Sequence, residues 1–197
     1  MGKVISIVNQ KGGVGKTTTS VNLSASLGVL EKKILLIDAD PQANATSSLG
    51  VNLYDEKTTK TFYEVLENTT SIKDSILSTD SPNLDIIPSS IDLVGAEIEL
   101  VNVNDREKML SNQINLIKSD YDFIFIDCPP SLGLITINCL SASDSIIVPI
   151  QCEYFALEGL GKLMSTIRQI QSHHNNELGI EGLLLTMYDS RLRLSNN

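Results

Sequence analysis

The sequence predicts an α/β protein with a doubly wound, mainly parallel sheet. Short, nearly continuous apolar runs rich in β-branched residues recur along the chain, as strands buried on both faces require. Stretches with helical spacing separate them, and strands that alternate with helices imply parallel pairing. A glycine-rich turn joins the first of these strands to the first helix.

Taken in order, the first strand is VISIV at 4–8, and a helix over 16–30 follows, with Val21, Leu23, Ala25, Leu27 and Leu30 as its apolar or small positions. ILLID at 34–38 is the second strand. Residues 68–83, NTTSIKDSILSTDSPN, are polar and rich in turn formers, which predicts a surface excursion with one short helix. LDIIP at 84–88 is the next strand, and helices follow over 90–101 and 105–118. FIFID at 123–127 and SIIVPI at 145–150 are strands on either side of a helix over 131–142. A helix over 156–172 and a strand over 182–187, GLLLTM, complete the pattern. Without an internal repeat, a low-complexity tract or a second composition, residues 1–197 are expected to form a single domain.

The chain has 197 residues, of which 42% are hydrophobic and 20% charged, enough for one substantial core. Its formal charge of −9 argues against a surface that is basic throughout, so nucleic-acid binding would need a local basic patch. No apolar run reaches the length of a membrane span, and the opening MGKVISIVNQ has the pattern of a strand rather than a signal peptide. These features predict a cytoplasmic protein. Cys128, Cys139 and Cys152 lie at wide spacings in apolar stretches, so they are expected to be reduced core thiols. His173 and His174 fall in a polar turn and are expected to be solvated.

The segment NQKGGVGKTTTS, residues 9–20, follows a strand and precedes a helix, the context of a phosphate loop. Glycines there let the backbone turn its N–H groups toward phosphate oxygens, and the helix N-terminus adds its dipole. Lys16 is placed to reach the β- and γ-phosphates, and Thr17 to offer Mg²⁺ a hydroxyl, since a hard cation prefers oxygen ligands. The strict pattern G-x-x-x-x-G-K-[ST] fails at one place, where Gln10 stands in for the first glycine.

What fits is the deviant form K-G-G-x-G-K-[ST]-T. Residues Lys11 to Thr18, KGGVGKTT, resemble the phosphate loop of the ParA/MinD family of partition and positioning ATPases, P-loop NTPases of the deviant Walker A type. The resemblance implies that Lys11, Gly12, Gly13, Val14, Gly15, Lys16, Thr17 and Thr18 bind the nucleotide. It also implies that Lys11 crosses a nucleotide-sandwich dimer to the phosphates held by the partner subunit. A second cation there would neutralise charge on the transferring phosphoryl group, as an arginine finger does elsewhere.

Two carboxylate segments fall at the ends of strands, where ligands of such sheets bind. LLIDADPQANAT at 35–46 resembles the family's first switch, which implies that Asp40, just before Pro41, positions the attacking water. Asp38 then supports the Mg²⁺ shell or the loop, or serves as a cap. FIFIDCPPSLG at 123–133 places Asp127 after four apolar residues, as a magnesium aspartate would be placed, with a structural cap as the alternative. A buried aspartate without a partner is costly, which favours a nearby cation. Pro129 to Gly133 would form the second switch. VPIQCEYFALEGLGKL at 148–163 and EGLLLTMYDSRLRLS at 181–195 extend the resemblance over essentially the whole chain, toward the ParA/Soj partition branch. It implies that Glu153 reaches the ribose of the partner's nucleotide.

The implied function is a Mg²⁺-dependent ATPase switch: an ATP-driven homodimer that binds non-specific DNA and a centromere-binding partition protein, and resets by hydrolysing ATP. Localisation would be cytoplasmic, and on the nucleoid where DNA binding is retained. Family members usually continue beyond the point reached at Asn197, so part of the adenine pocket and most of the DNA-binding surface are expected to be missing. Arg191 and Arg193 could join a basic patch or stand solvated, and two such residues on a chain of charge −9 would bind DNA weakly. Thr186 to Asp189, TMYD, has Met187 where a guanine-reading motif has lysine, so ATP is the expected nucleotide. The alternative is a truncated, non-catalytic protein that sequesters a partner through the dimer face. An iron–sulfur reductase is disfavoured by the placement of Cys128, and no amphipathic C-terminal helix for membrane binding is present.

Overall fold

The computed structural model describes residues 2–53, 60–153, 156–189 and 191, with the side chains of 156–158 outside the description. In chain order the elements are β1 (Lys3–Ile7), α1 (Lys16–Val29), β2 (Ile34–Asp38), α2 (Asn44–Ser48), α3 (Phe62–Leu66), β3 (Leu77–Ser78) and β4 (Leu84–Ile87). There follow α4 (Leu93–Glu99), α5 (Met109–Ile114), β5 (Phe123–Asp127), α6 (Leu134–Ser141), β6 (Ser145–Gln151), α7 (Ala156–His173) and β7 (Gly179–Thr186). The strands form a seven-stranded sheet in the order β3-β4-β2-β5-β1-β6-β7. Every neighbouring pair is parallel except β3 with β4.

Alternation along the strands sends side chains to two core layers. On β2, Leu35 and Ile37 join Val4, Ile124, Ile126, Ile146 and Val148 under α3 to α7. Ile34 and Leu36 face the other way, with Ile5, Ile7, Leu84 and Phe125, against Val21, Leu23, Ala25 and Leu27. Both faces of the central strands are therefore covered, which is why their sequences read as unbroken apolar runs.

Several expectations need correction. The excursion at 68–83 is not wholly on the surface: Ile72 and Ser75 are buried within a short 3₁₀ turn, and Leu77–Ser78 add an antiparallel edge strand. The helix expected over 105–118 is confined to Met109–Ile114, with 3₁₀ turns at Arg106–Lys108 and Lys118–Asp120. The short helices α2 and α3 had no expectation at all. Cys128 and Cys139 are buried free thiols, but Cys152 is partly exposed after β6 rather than in the core. His173 ends α7, and both histidines are exposed as expected. Arg191 is ion-paired with Asp189 at 2.7 Å, and Arg193 lies outside the described residues.

Candidate functional site

The loop between β1 and α1 is shaped by two glycines with left-handed backbone, Gly13 at φ 73° and Gly15 at φ 89°. A Cβ at Gly15 would be strained whatever room it had, because the left-handed region disfavours L side chains. No side chain caps the N-terminus of α1. Its first N–H groups thus remain available to an anion, which the helix dipole also favours. Thr19 closes the first turn instead, donating from its N–H and its hydroxyl to the Gly15 carbonyl at 2.9 and 2.7 Å.

Two side chains that sequence reading passed over hold this loop to the sheet. Asn9 donates to the Pro149 carbonyl at 2.7 Å and accepts the Lys11 N–H at 3.0 Å, tying the loop to β6. Thr186, at the end of β7, donates its hydroxyl to the Val14 carbonyl at 2.8 Å. Its methyl group would lie 3.6 Å from a Cβ on Gly15. The sequence showed Thr186 only as the first letter of TMYD, and no local signal connects it to a loop 172 residues away.

Lys16 is buried and folds back, donating Nζ to the Lys11 carbonyl at 3.2 Å. Burial pushes its pKa down, against the pull of Asp127, Cys128 and Asp40. A cation so placed is poorly solvated and would gain from an anion entering the loop. Lys11 points differently: Nζ pairs with Glu153 and donates to Gln151 Oε1 at 3.3 Å. Both members of the Lys11–Glu153 pair are partly exposed. The two residues that the resemblance directs toward the partner's nucleotide therefore meet each other within one chain.

The carboxylates converge at the ends of adjacent strands. Asp38 and Asp127 are register partners in the β2–β5 pair, and Asp127 is also the register partner of Ile7 on β1. Asp38 is fully engaged: Oδ2 accepts from the Thr46 N–H at 2.8 Å and hydroxyl at 2.7 Å, and Oδ1 from the Asp40 N–H at 3.2 Å. Thr46 passes the link on to the segment after β4, its hydroxyl accepting the Ser89 N–H at 3.0 Å. Asp40 is mostly buried and accepts the Gln42 N–H at 3.0 Å, which fixes the turn through Pro41.

Asp127 differs from Asp38. Ser20 donates to its Oδ1 at 2.9 Å, while Oδ2 is buried with no hydrogen-bond partner. The Thr17 hydroxyl lies close enough to favour the charged form. Burial pushes Asp127 up to about 7, with the Asp38 charge adding to the rise and Thr17, Ser20 and Lys16 opposing it. Burial likewise raises Asp38 to about 6, against its hydrogen bonds from Thr46 and Asp40. An unpartnered oxygen on a buried carboxylate, beside a threonine hydroxyl and a lysine-bearing loop, has the donor chemistry for a hard divalent cation.

A glycine loop that opens a helix beside two strand-end carboxylates defines a P-loop nucleotide-binding protein. Residues 2–180 match the family described as AAA domain. The sporulation initiation inhibitor protein Soj of Bacillus subtilis is 55% identical over 194 residues, covering 98% of this chain and 76% of that protein. The chromosome partitioning protein ParA of Myxococcus xanthus is 48% identical over 196 residues, covering 100% of this chain and 69% of that one. The structure is also similar to that of a cobyrinic acid a,c-diamide synthase from Mycobacterium smegmatis, at a TM-score of 0.93 and 39% identity, over 100% of this chain and 79% of that one. That protein has been crystallised with ADP and magnesium and with an ATP analogue and magnesium. The chain belongs to the ParA/MinD family of P-loop ATPases.

No helix among the described residues is long and apolar enough to cross a membrane.

Proposed function

We propose that the chain is a Mg²⁺-dependent ATPase switch of the partition type, in which ATP joins two copies and hydrolysis to ADP and phosphate separates them. The observation that carries this reading is the buried, unpartnered Oδ2 of Asp127, set among Thr17, Ser20 and Lys16 at the mouth of the glycine loop. In this reading the backbone of Gly12, Gly13, Val14 and Gly15 and the start of α1, including Thr18, surround the phosphates. Lys16 leaves the Lys11 carbonyl to meet the β- and γ-phosphates. Thr17 and Asp127 hold Mg²⁺, and Asp38 supports the shell by fixing the turn that carries Asp40. Bound Mg²⁺ would supply charge neutralisation for the transferring phosphoryl group.

Asp40 orients the attacking water, whose oxygen bonds to the γ-phosphorus as the bridging bond to the β-phosphate breaks. Lys11 and Glu153 turn from each other to the partner's phosphates and ribose when the dimer forms. Because they are paired within the single chain, assembly exchanges one set of ionic contacts for another. The dimer is proposed to engage non-specific DNA and a centromere-binding partition protein that stimulates hydrolysis. Cytoplasmic localisation, with nucleoid association where DNA binding persists, belongs to the same reading. Residues 1–197 are proposed to form one domain, which spans 76% of the Bacillus subtilis relative's length and 69% of the Myxococcus xanthus one.

The test is sedimentation of the chain with Mg²⁺ and either ADP or a non-hydrolysable ATP analogue, alongside phosphate release. A dimer with the analogue alone, together with slow phosphate release, is expected. Asp40→Ala should keep nucleotide and dimer yet lose turnover. A monomer under both conditions, with no nucleotide retained, would overturn the switch and leave the non-catalytic binder as the better reading.

A further inference from the structure

An acceptor without donors and a helix end without acceptors face each other where α4 meets α6. Glu97, within α4, is half-buried, and its Oε1 is buried with no hydrogen-bond partner. The carboxylate packs against Gly133, the N-cap residue of α6, so closely that a Cβ there would collide with it. Gly133 has φ −77° and ψ −169°, extended backbone that any residue adopts. It is therefore the Glu97 carboxylate, and not the backbone, that calls for glycine at this position.

On the other side of the contact, no side chain caps α6. Ile137 donates its N–H to the Gly133 carbonyl at 3.0 Å, and Thr136 fastens its hydroxyl to the Ser131 carbonyl at 2.7 Å. Among the described residues, nothing accepts the N–H groups of Leu134, Ile135 and Thr136. The first amides of a helix have no partner within it, and the helix dipole favours an anion beside them.

A buried acceptor left without a donor is costly, and a carboxylate more so than a neutral group. Among the described residues no lysine or arginine pairs with Glu97. A small displacement of the Gly133 backbone around the carboxylate would satisfy both sides at once. The backbone that must move is the loop from Pro129 to Gly133, which leaves β5 just after Asp127. Helix α4 is meanwhile tied to the other carboxylate turn. Asp38 accepts from the Thr46 hydroxyl, which in turn accepts the Ser89 N–H at 3.0 Å, shortly before α4 begins. Glu97 thus stands on a helix referenced to one nucleotide-facing loop and touches the end of the other.

We infer that Glu97 is a positioning residue for the triphosphate-bound state, capping α6 when the loop from Pro129 to Gly133 closes on the γ-phosphate. In the loop's other setting, the one seen here, its Oε1 has no partner. The inference rests on the ATPase switch proposed above. The cap adds hydrogen bonds to one setting only, so it shifts the balance toward the setting that binds ATP. Glu97 touches neither nucleotide nor metal in this scheme and acts through the loop.

The experiment compares the parent chain with Glu97→Ala, Glu97→Gln and Gly133→Ala in Mg²⁺ with either ADP or a non-hydrolysable ATP analogue. Titration calorimetry gives the two affinities, and hydrogen exchange follows the amides of Leu134, Ile135 and Thr136. In the parent, the analogue should slow exchange at these amides about fivefold more than ADP does. Glu97→Ala should abolish that slowing and weaken analogue binding about tenfold, with ADP affinity within about twofold of the parent's. Glu97→Gln keeps an acceptor oxygen without the charge and should retain most of the slowing, which separates hydrogen bonding from charge. In Gly133→Ala the methyl group displaces the carboxylate without straining the backbone, so it should behave like Glu97→Ala. Circular dichroism checks that each variant stays folded, and the two Glu97 variants decide the matter if Gly133→Ala does not. A merely structural role predicts an equal loss of both nucleotides with a lowered urea midpoint. That result, or an unchanged ratio of the two affinities in Glu97→Ala, overturns the inference and leaves the ATPase reading in place. A parent chain that binds neither nucleotide overturns both.

Discussion

Asp127 carries a proton that an unfolded chain would release. Burial lifts its pKa from an ordinary 3.8 to about 7, so between these values the folded protein binds more protons than the unfolded one. Stability must then fall as pH rises through this window, because folding there withholds a proton that solvent would accept. Asp38, raised to about 6, contributes in the same direction. The metal-free chain is expected to lose on the order of 2 kcal/mol between pH 5 and pH 8 from Asp127. Asp127→Asn should flatten this slope, seen as urea midpoints that change less with pH, and Mg²⁺ with ADP should restore part of the loss at pH 8. An identical slope in the variant would show that other groups set it. Thr186→Val offers a second check: it leaves the Val14 carbonyl without its hydroxyl donor and should cost about 1 kcal/mol of stability. Nucleotide affinity should fall with it, measured by titration calorimetry. That Lys16, Thr17 and Asp127 lie near one another was legible, because the loop is a local motif and the strand-end aspartate follows an apolar run. Asn9 and Thr186 were not, since their loop contacts depend on how distant strands line up.

Gly28 shows how packing of an element can reverse a local preference. It is buried in α1, where replacing glycine by alanine ordinarily adds about 1 kcal/mol of helix stability. Here a Cβ would collide with the Pro82 carbonyl, so helix and loop meet backbone to backbone, and the Asn83 side-chain amide also donates to the Gly28 carbonyl at 3.1 Å. Backbone cannot swing aside as a flexible side chain can. Gly28→Ala is therefore expected to destabilise by about 2 kcal/mol, the cost of overpacking, and to lower the urea midpoint. A raised midpoint would mean that α1 shifts freely on the sheet. The same contrast explains which elements could be read in advance. β2 and β5 fell at their expected bounds because strands covered on both faces must be apolar throughout. α3 has five residues and a capping box built by Thr61 and Glu64, too short for any periodicity to emerge. α5 shortened because its flanking turns, Arg106–Lys108 and Lys118–Asp120, are rich in the charged residues that also populate exposed helix faces.

The whole sheet ends in two unlike edges. At one side β3 is two residues long and antiparallel, a short edge that resists further pairing. At the other, β7 pairs with β6 along its length, while Ile180, Leu183, Leu184 and Leu185 remain 41–59% exposed. Its run of leucines suited a strand buried on both faces, and that reading identified the strand correctly. What it could not supply is coverage, because an apolar pattern records what a strand tolerates around it and not what is there. Glu181 guards only the start of this edge, engaged with Lys3 at 2.6 Å and with Ser145 at 2.8 Å. A long apolar edge whose centre bears no charge is where chains should stick to one another. Leu183→Lys with Leu185→Lys places charge at that centre on side chains already open to solvent. The double variant should scatter less light during storage at equal concentration, with a melting midpoint close to that of the parent. If scattering is unchanged, association runs through another surface, and the outer face of α4, where Val94 and Ile98 are exposed, becomes the next to substitute. If scattering falls while the ATP-analogue dimer persists in sedimentation, the two modes of association are separate. Loss of both together would place β7 inside the nucleotide-driven interface, which the position of Lys11 and Glu153 beside the loop argues against.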